Sequence, residues 1–287
     1  MRLSNADYHA HPAIGAHGLM DFMISPAHYY AHYLDPAKEN KAPRVAYQWG
    51  RAWHAAMFEP EAFASEYVVI PEGIDRRTKD GKALFAEIEA SNRTPIATKD
   101  YAEIMRMVAV GKSSKTWRGY ASLGEWVAEE SLFYTDPETG VELKIRPDYS
   151  LNVANGIIID GKTCADAGLA GFGAACWRYN YLLQAALYCD VWQAIHGNAE
   201  PPLWVWWAQE KEAPYAFRAY IMTPAQHEYG REQYRALLPE VKKCLDSGEW
   251  PGYIDEASPM ELPAWAQKVI DGGEEIAEIA YKEDDSE

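Results

Sequence analysis

The sequence predicts an α/β fold in which a helical layer precedes a core built on a mixed β-sheet. Three observations support this fold class. The first 120 residues show mostly helical patterns, strand patterns begin after Gly124, and strands and long helices alternate from there to about Leu245. Elements in this order pack as a sheet covered by helices. The chain has 287 residues, 48% of them apolar, and is therefore long enough to bury a sizeable core.

The helical layer is predicted over about residues 20–120. Ser25 followed by Pro26 is a strong helix start, a capping hydroxyl with proline at the first helical position. The helix should end at Leu34, because Asp35 precedes a proline and is disfavoured in helical conformation. Further helices are predicted over residues 45–58, 80–90 and 100–110, and an extended stretch over residues 67–70.

The sheet core is predicted over about residues 125–245. Strands are expected over residues 126–134, 141–151, 157–163, 203–210 and 215–222, with a long helix over residues 172–196. Thr223-Pro-Ala-Gln226 is a capping box that opens a last long helix. We predict a single domain over residues 1–270 and an acidic tail over residues 271–287.

The charge and composition exclude several classes of protein. A formal net charge of −16 argues against a protein that coats nucleic acid with its whole surface. The tail alone carries eight acidic residues against one lysine, so an enzyme with a basic groove is not excluded. No apolar run approaches the roughly 20 residues of a membrane span, no secretory signal is visible, and the four cysteines form no CxxC pair. We expect a cytoplasmic protein with no membrane partner.

The chemically informative segment contains Asp148, Asp160 and Lys162. Side chains two residues apart in a strand share a face, so Asp160 and Lys162 point the same way. Charged groups at the end of an apolar strand are costly unless they are paired or liganded. Two carboxylates beside a lysine make a hard oxygen site for Mg²⁺, with the lysine placed to orient or deprotonate a water. Taken alone, so short a pattern more often marks an ordinary charged surface hairpin.

The turn before Ile157 decides whether the two aspartates share a face. A two-residue loop at Asn155-Gly156 would put Asp148 on the face opposite Asp160. A three-residue loop over residues 154–156, with Gly156 left-handed in a bulge, brings Asp148 opposite Lys162 and onto the face of Asp160. The metal-site hypothesis therefore requires the bulged hairpin.

Other polar residues lie in positions where they can join this site. Glu129 precedes it in the first strand, Gln184 and Tyr188 share a face of the long helix, and His54 lies in an otherwise apolar helix. Each has an ordinary explanation by itself: a solvated acid, helix-face residues, a core histidine. Their order along the chain makes coincidence a poor explanation.

In this order the motifs resemble the RecE-type exonucleases (exonuclease VIII), a branch of the PD-(D/E)XK nuclease superfamily related to RecB-type nuclease domains. The matching segments, which cover roughly residues 20–240, are Gly50-Arg-Ala-Trp-His54, Asp75-Arg-Arg-Thr-Lys-Asp-Gly81, Glu129-Glu-Ser131, Arg146-Pro-Asp148, Asp160-Gly-Lys-Thr163, Gln184-Ala-Ala-Leu-Tyr188 and Gln209-Glu-Lys211. The resemblance implies a restriction-endonuclease-like core, a central mixed sheet flanked by helices.

The resemblance also implies a metal-ion centre. Asp148 and Asp160 would bind catalytic Mg²⁺ or Mn²⁺, with the Thr163 carbonyl completing the ligand shell. His54 would bind a second ion. Lys162 would orient the attacking water and stabilise the charge of the transition state.

Three further residues have implied roles in the core of this centre. Glu129 would be its upstream acid, although Glu130 is adjacent and strand alternation allows only one of them inward. Gln184 and Tyr188 would match the family's QxxxY motif, which braces the active site and contacts the DNA backbone.

The function implied is degradation of linear double-stranded DNA from 5′ to 3′, leaving 3′ single strands for recombination. A ring-shaped homo-oligomer (trimer or tetramer) and a RecT-like single-strand annealing partner belong to the same implication. Candidates for gripping DNA are Ser25 at a helix start and the basic Arg76, Arg77 and Lys79, which equally fit a solvated turn. The alternatives are a RecB- or Cas4-like nuclease of other polarity, or a catalytically inactive acidic DNA mimic or protein-binding module.

Overall fold

The computed structural model describes residues 2–38, 45–253, 256–257, 259–263, 267–268 and 270–271, without the side chains of residues 45–47. Met1–Pro251 form one compact unit and Gly252–Glu287 a second. The predicted acidic tail lies outside the described residues apart from Asp271, and the predicted boundary at residue 270 stays a prediction. In the part of the chain so described, no helix is both long and apolar enough to cross a bilayer.

The N-terminal layer is helical, as predicted. Its helices are α1 (Asn5–Ala10), α2 (Ala16–Ile24), α3 (Pro26–Tyr29), α4 (Val45–Phe58), α5 (Pro60–Glu66), α6 (Lys79–Ala90), α7 (Thr98–Ser113) and α8 (Lys115–Ala121). Two short strands, β1 (Tyr67–Ile70) and β2 (Thr94–Ala97), pair in parallel within this layer. The sequence predicts β1 but not β2, because Pro95 cannot donate to a ladder and obscures the strand pattern.

The helix predicted over residues 26–34 forms with the expected cap. The Ser25 hydroxyl accepts a hydrogen bond from the His28 backbone N–H at 3.3 Å. α3 continues through Leu34 as a π-helical turn, and Asp35 leaves the helical conformation before the following proline. The cap and the proline therefore set both ends of this segment.

The core carries the remaining elements in the predicted order. They are β3 (Val127–Ala128), β4 (Leu132–Thr135), β5 (Glu142–Ile145), β6 (Tyr149–Leu151), β7 (Ile157–Cys164), α9 (Leu169–Arg178), α10 (Tyr181–His196), β8 (Leu203–Glu210), β9 (Phe217–Ile221) and α11 (Pro224–Ser247). Among the described residues the main sheet has the order β3-β6-β7-β8-β9. Only its β7–β8 pair is parallel, and β4 and β5 form a separate antiparallel hairpin.

Three elements predicted as continuous are in fact interrupted. The strand predicted over residues 126–134 breaks at Glu129, whose φ of 53° is left-handed. The strand predicted over residues 141–151 breaks between β5 and β6. The helix predicted over residues 172–196 breaks at Asn180, with a φ of 52°. At Glu129 and Asn180 tertiary packing overrides local preference, since left-handed backbone is unfavourable for residues other than glycine.

The β6–β7 hairpin puts both aspartates on one face, but with a different loop from the predicted one. Tyr149 pairs with Ile159 and Leu151 with Ile157, so the loop spans residues 152–156. Continued by one residue, this register places Asp148 opposite Asp160, not opposite Lys162 as predicted. The register differs from the prediction by two residues, which preserves the face. Gly156 is left-handed, as predicted, with a φ of 98°.

The sheet separates two apolar clusters. Ile158 of β7 and Trp204 and Trp206 of β8 face a cluster with α2, α10 and α11, whereas the alternate residues Ile159 and Trp207 face a cluster with α4, α7 and α8. This alternation fixes the faces of β7. Lys162 and Asp160 share the α10 face with Ile158, and Gly161 faces α4.

Helices α10 and α11 are joined by one partly buried carboxylate. Asp190 accepts hydrogen bonds from His227 Nε2 at 2.8 Å, Arg231 Nε at 2.8 Å and the Tyr234 hydroxyl at 2.6 Å. Burial raises the pKa of Asp190, but the bonds from Arg231, His227 and Tyr234 outweigh it and hold the pKa at about 2. The ionised carboxylate therefore stabilises the folded state.

We predict that Asp190→Ala lowers the free energy of unfolding by about 3 kcal/mol, because it removes the charged acceptor that His227, Arg231 and Tyr234 share. The pKa of Asp190 is lower in the folded than in the unfolded chain. The ionised carboxylate therefore stabilises the folded state fully at a pH above the unfolded-chain pKa, and this stabilisation is lost as the pH falls towards 2. Urea unfolding between neutral pH and pH 3 measures this. The variant should lose less stability than the native chain over that acid range; an equal loss would contradict the assignment.

Candidate metal centre

Three side chains from separate elements converge beside β7. Ligand atoms of His54, Glu129 and Asp148 lie within 4.8 Å of one another, and all three residues are partly buried. His54 comes from α4, Glu129 from the left-handed break after β3, and Asp148 from the residue before β6. The break at Glu129 therefore supplies a site residue where a regular strand would have continued.

Backbone groups of Gly161 orient two members of this cluster. His54 Nε2 lies 2.8 Å from the Gly161 carbonyl oxygen and is the donor in that bond, since a carbonyl only accepts. The other ring nitrogen, Nδ1, lies 3.5 Å from Asp148 Oδ2. The Gly161 N–H donates to the same Oδ2 at 2.7 Å. A histidine that gives one ring N–H to a carbonyl presents its other nitrogen as a ligand.

Gly161 also permits the close approach of α4. A Cβ at this position would lie 2.6 Å from a Phe58 ring carbon and 3.0 Å from a Trp53 ring carbon. Both rings belong to the buried cluster on the α4 side of the sheet. Only glycine leaves room for the helix that carries His54.

Asp160, Lys162 and Gln184 form a second group on the α10 face. Lys162 Nζ donates to Asp160 Oδ1 at 2.8 Å and to Gln184 Oε1 at 3.2 Å. Asp160 Oδ2 lies 2.7 Å from the same ammonium but receives no hydrogen bond from any described residue. Asp160 is 2% exposed. The structure thus brings together the aspartate, lysine and glutamine that the sequence predicts.

The charges of the site are only partly balanced. Burial and the Asp148 carboxylate together raise the pKa of Asp160 to about 6, against the opposing effect of Lys162. Burial and the Asp148 carboxylate raise the pKa of Glu129 to about 8. Crowded carboxylates with raised pKa values are stabilised by a nearby cation. With carboxylate and imidazole donors, and one Asp160 oxygen without a hydrogen bond, the residues present fit a divalent cation such as Mg²⁺ or Mn²⁺.

Lys162 is held in its charged form. Burial by itself would lower its pKa, but the Asp160 and Asp148 carboxylates raise it above the ordinary value. The Tyr181 ring lies 4.8 Å from Nζ and offers a cation–π contact. The sequence predicts no role for Tyr181, although this residue stands three positions before Gln184 in the same helix.

Arg146 is a second residue that the sequence analysis left without a role. Its Nε lies 3.7 Å from Glu129 Oε2 and donates to the Ser131 hydroxyl at 3.2 Å. Its Nη2 donates to the Leu3 carbonyl at 2.8 Å, and its guanidinium lies over the Tyr8 ring. Arg146 therefore ties the N-terminal segment to the acid of the cluster. Its place in the Arg-Pro-Asp motif was the available signal.

The remaining predicted residues lie around or apart from this site. Tyr188 is buried on α10, with its ring edge-on to Trp204. Thr163 pairs with Gln209 in the β7–β8 ladder, and no described contact places its carbonyl at the cluster. Ser25 is buried and bonded to His28.

The predicted basic residues occupy the turn into α6 and are exposed. Arg77 forms an ion pair with Asp75 at 2.7 Å, and the Arg76 guanidinium lies 3.8 Å from the centre of the Phe85 ring. Lys79 is the first residue of α6. No described contact joins these three residues to the carboxylates of the metal centre. Their binding of DNA stays a prediction.

One cavity lies at the other end of the strands. It measures about 720 Å³ and is lined by the β6–β7 loop, the start of β8 and the start of α11. None of His54, Glu129, Asp148, Asp160 and Lys162 lines it. The candidate site is therefore identified by its converging carboxylates, histidine and lysine, and not by a deep cavity.

Residues 16–262 match the family described as a PDDEXK-like domain of unknown function (DUF3799). The chain belongs to this family. The match spans the whole sheet core and most of the helical layer, so the predicted PD-(D/E)XK relationship is confirmed. The RecE-type branch within that superfamily stays a prediction.

A solved structure supports the fold. A candidate exonuclease from Eubacterium rectale is 13% identical, with 93% of this chain and 98% of that chain covered and a TM-score of 0.60. At that identity the likeness shows the fold alone, and it confirms the predicted restriction-endonuclease-like α/β architecture. The protein SSO0001 is 12% identical over 68% of this chain and 88% of that chain, with a TM-score of 0.27 that carries no argument. No curated protein matches the sequence.

We predict that Gly161→Ala destabilises this PDDEXK-like domain by about 1–3 kcal/mol, because its methyl group would overlap the Phe58 and Trp53 rings. Thermal unfolding measures the loss. Gly173→Ala is the matched control: no atom lies within 4 Å of its added Cβ, and alanine within α9 should raise stability slightly. Equal stability of the two variants would contradict the close approach.

Proposed function

We propose that this PDDEXK-like protein is a Mg²⁺-dependent exodeoxyribonuclease, with Mn²⁺ as a substitute, that degrades linear double-stranded DNA from 5′ to 3′. One observation carries the nuclease part of the proposal. The β6–β7 register brings Asp148 opposite Asp160, with Lys162 bonded to Asp160, in a chain of the PDDEXK-like family. Two carboxylates and a lysine on one face of the sheet suit hydrolysis of a phosphodiester.

The finer parts of the proposal rest on the resemblance to RecE-type exonucleases. These are the 5′ to 3′ polarity, the 3′ single strands left for recombination by strand annealing, and a RecT-like annealing partner. A ring of three or four subunits and a cytoplasmic location belong with them.

We propose that Asp148 and Asp160 hold one metal ion, with the Thr163 carbonyl, and that His54 and Glu129 contribute to a second. When bound, the metal ions would neutralise the phosphodiester and activate a water. The Gly161 backbone bonds keep His54 and Asp148 in place before any ion arrives. Such prearranged donors lose little free energy to reorganisation during the reaction.

Lys162 would act as a fixed cation beside the reacting phosphate. Its ammonium is held by Asp160 and Gln184, which leaves one N–H to orient a water or to donate to a phosphate oxygen. Gln184 positions that ammonium and is itself buried on α10. Tyr188, one turn further along, braces the same helix against β8.

The exposed Arg76, Arg77 and Lys79 would grip the DNA backbone, and Ser25 would assist at the start of α3. Arg77 is mostly exposed and its partner is a single aspartate. A phosphate can compete for such a surface ion pair, since exposed pairs contribute little stability. Local basic residues of this kind let a protein with a net charge of −16 bind a polyanion.

An inactive DNA mimic would have no use for the buried Asp160–Lys162 pair. Burying two charges costs free energy that only good geometry offsets, and such pairs do little for stability overall. The retention of this pair beside the histidine and carboxylate cluster supports catalysis over mimicry.

We predict that Asp160→Asn and Asp148→Asn each reduce DNA cleavage by at least about 10²-fold, because each weakens a metal ligand while keeping the side-chain shape. The measurement is release of nucleotides from end-labelled linear duplex with and without Mg²⁺, beside closed circular duplex. Asp246→Asn, an exposed acid of α11, is the control and should cleave normally. Near-normal digestion by Asp160→Asn would end the nuclease proposal, and release that starts from 3′ ends would overturn the polarity.

His54→Ala tests the histidine. We expect the metal concentration needed for half-maximal cleavage to rise, with part of the activity returning at high Mn²⁺, because the variant removes a ligand and not the lysine. The measurement is a metal titration at several Mn²⁺ and Mg²⁺ concentrations, paired with thermal unfolding. A loss of stability at unchanged metal dependence would show that His54 only packs against Trp53 and Phe58.

A further inference from the structure

The turn between α9 and α10 presents two aromatic side chains to solvent. Trp177 is 65% exposed and Tyr179 is 53% exposed. Arg178 stands between them, also exposed, and forms no ion pair with any described residue. Large rings left in water beside a free cation indicate a surface kept for a ligand with flat apolar faces and negative charge.

Trp177 borders a small depression with polar walls. Tyr229 of α11 stacks on one face of the indole, with ring centres 5.5 Å apart, and so fixes its orientation. The depression holds about 130 Å³ and is lined by Cys176, Trp177, Asn180, Leu182, Tyr229 and Gln233. The Asn180 side chain caps no helix N–H although it precedes α10, so its amide is available to a ligand. An aromatic wall with two amides suits a nucleobase, whose edge carries hydrogen-bond donors and acceptors.

This surface adjoins the candidate metal centre. Lys162 Nζ lies 4.8 Å from the Tyr181 ring centre, and the Tyr181 and Tyr179 ring centres are 5.7 Å apart. Two ring contacts therefore separate the proposed reacting phosphate from an exposed aromatic face.

We infer that Trp177 and Tyr179 form a base-stacking surface for unpaired nucleotides next to the phosphodiester held at Lys162. The inference rests on the proposed nuclease function and adds the residues that hold the strand. Bases inside a duplex are already stacked on both faces, so the ligand is a single-stranded or frayed end. Arg178 lies where the backbone phosphates of such a strand would pass.

Stacking on such rings tolerates any sequence, since every base has a flat π-face, and each stacked base contributes about 1–3 kcal/mol. Removing one ring should therefore weaken binding at least about fivefold. A leucine at the same place keeps apolar area but offers no flat face. This contrast separates base stacking from general apolar contact.

The test measures binding of a short fluorescein-labelled single strand by anisotropy, in Mg²⁺ and on the Asp160→Asn background, so that binding is read without cleavage. Trp177→Ala, Trp177→Leu and Tyr179→Ala should each weaken binding at least about fivefold. Trp177→Phe should bind close to the parent. The matched control is Leu169→Ala, which removes an apolar side chain 68% exposed on the same helix and should leave binding unchanged.

Two binding results would overturn the inference. One is that Trp177→Ala and Tyr179→Ala bind the single strand as tightly as the parent. The other is that Trp177→Leu binds as tightly as Trp177→Phe. A Trp177→Ala protein whose mass by light scattering falls would overturn it as well, because the surface would then join two copies of the chain. Cleavage of labelled duplex by the native chain is scored separately. If binding depends on the two rings but the native chain does not cleave DNA, the nuclease proposal fails and the stacking surface stands. If the native chain cleaves DNA but binding does not depend on the rings, the stacking surface fails and the nuclease proposal stands.

Discussion

A carboxylate and an ammonium, Asp160 and Lys162, lie 2.7 Å apart in the middle of β7, after three apolar residues. Neither charge is tolerable there without the other, and the pair by itself contributes little net stability. Their placement requires β7 to run buried between two helical layers, with Gln184 of α10 close enough to accept from the lysine. The order of strands in the main sheet buries β7, and the position of α10 brings Gln184 to Lys162.

On the face of β7 that packs against α4, the central residue is Gly161. Gly161 lets α4 approach closely, and its N–H and carbonyl hold Asp148 and His54. The two peptide groups that flank the Gly161 Cα thereby link a strand neighbour and a helix from the N-terminal layer. This explains why the helical layer belongs to the site rather than standing apart from the catalytic core.

Irregular backbone supplies much of the site's geometry. The left-handed Glu129 ends β3 and turns its carboxylate towards Asp148, and the left-handed Asn180 ends α9 and exposes the aromatic pair beside it. Non-glycine residues in this conformation cost free energy that surrounding packing must supply. Arg146 is part of that packing, since it binds Glu129, Ser131 and the N-terminal segment together.

The sequence by itself determined the order of elements, the capped helix starts and the identity of the charged residues of β7, because caps, prolines and apolar periodicity act over a few neighbouring positions. The metal-site hypothesis required Asp148 and Asp160 to share a face, and they do, because the observed register differs from the predicted one by two residues and leaves strand parity unchanged. The loop length, the breaks at Glu129 and Asn180, and the roles of Gly161, Arg146 and Tyr181 were decided only by the tertiary structure. Each of these depends on contacts between residues distant in the chain, such as Gly161 against Phe58, and no local pattern encodes such a contact.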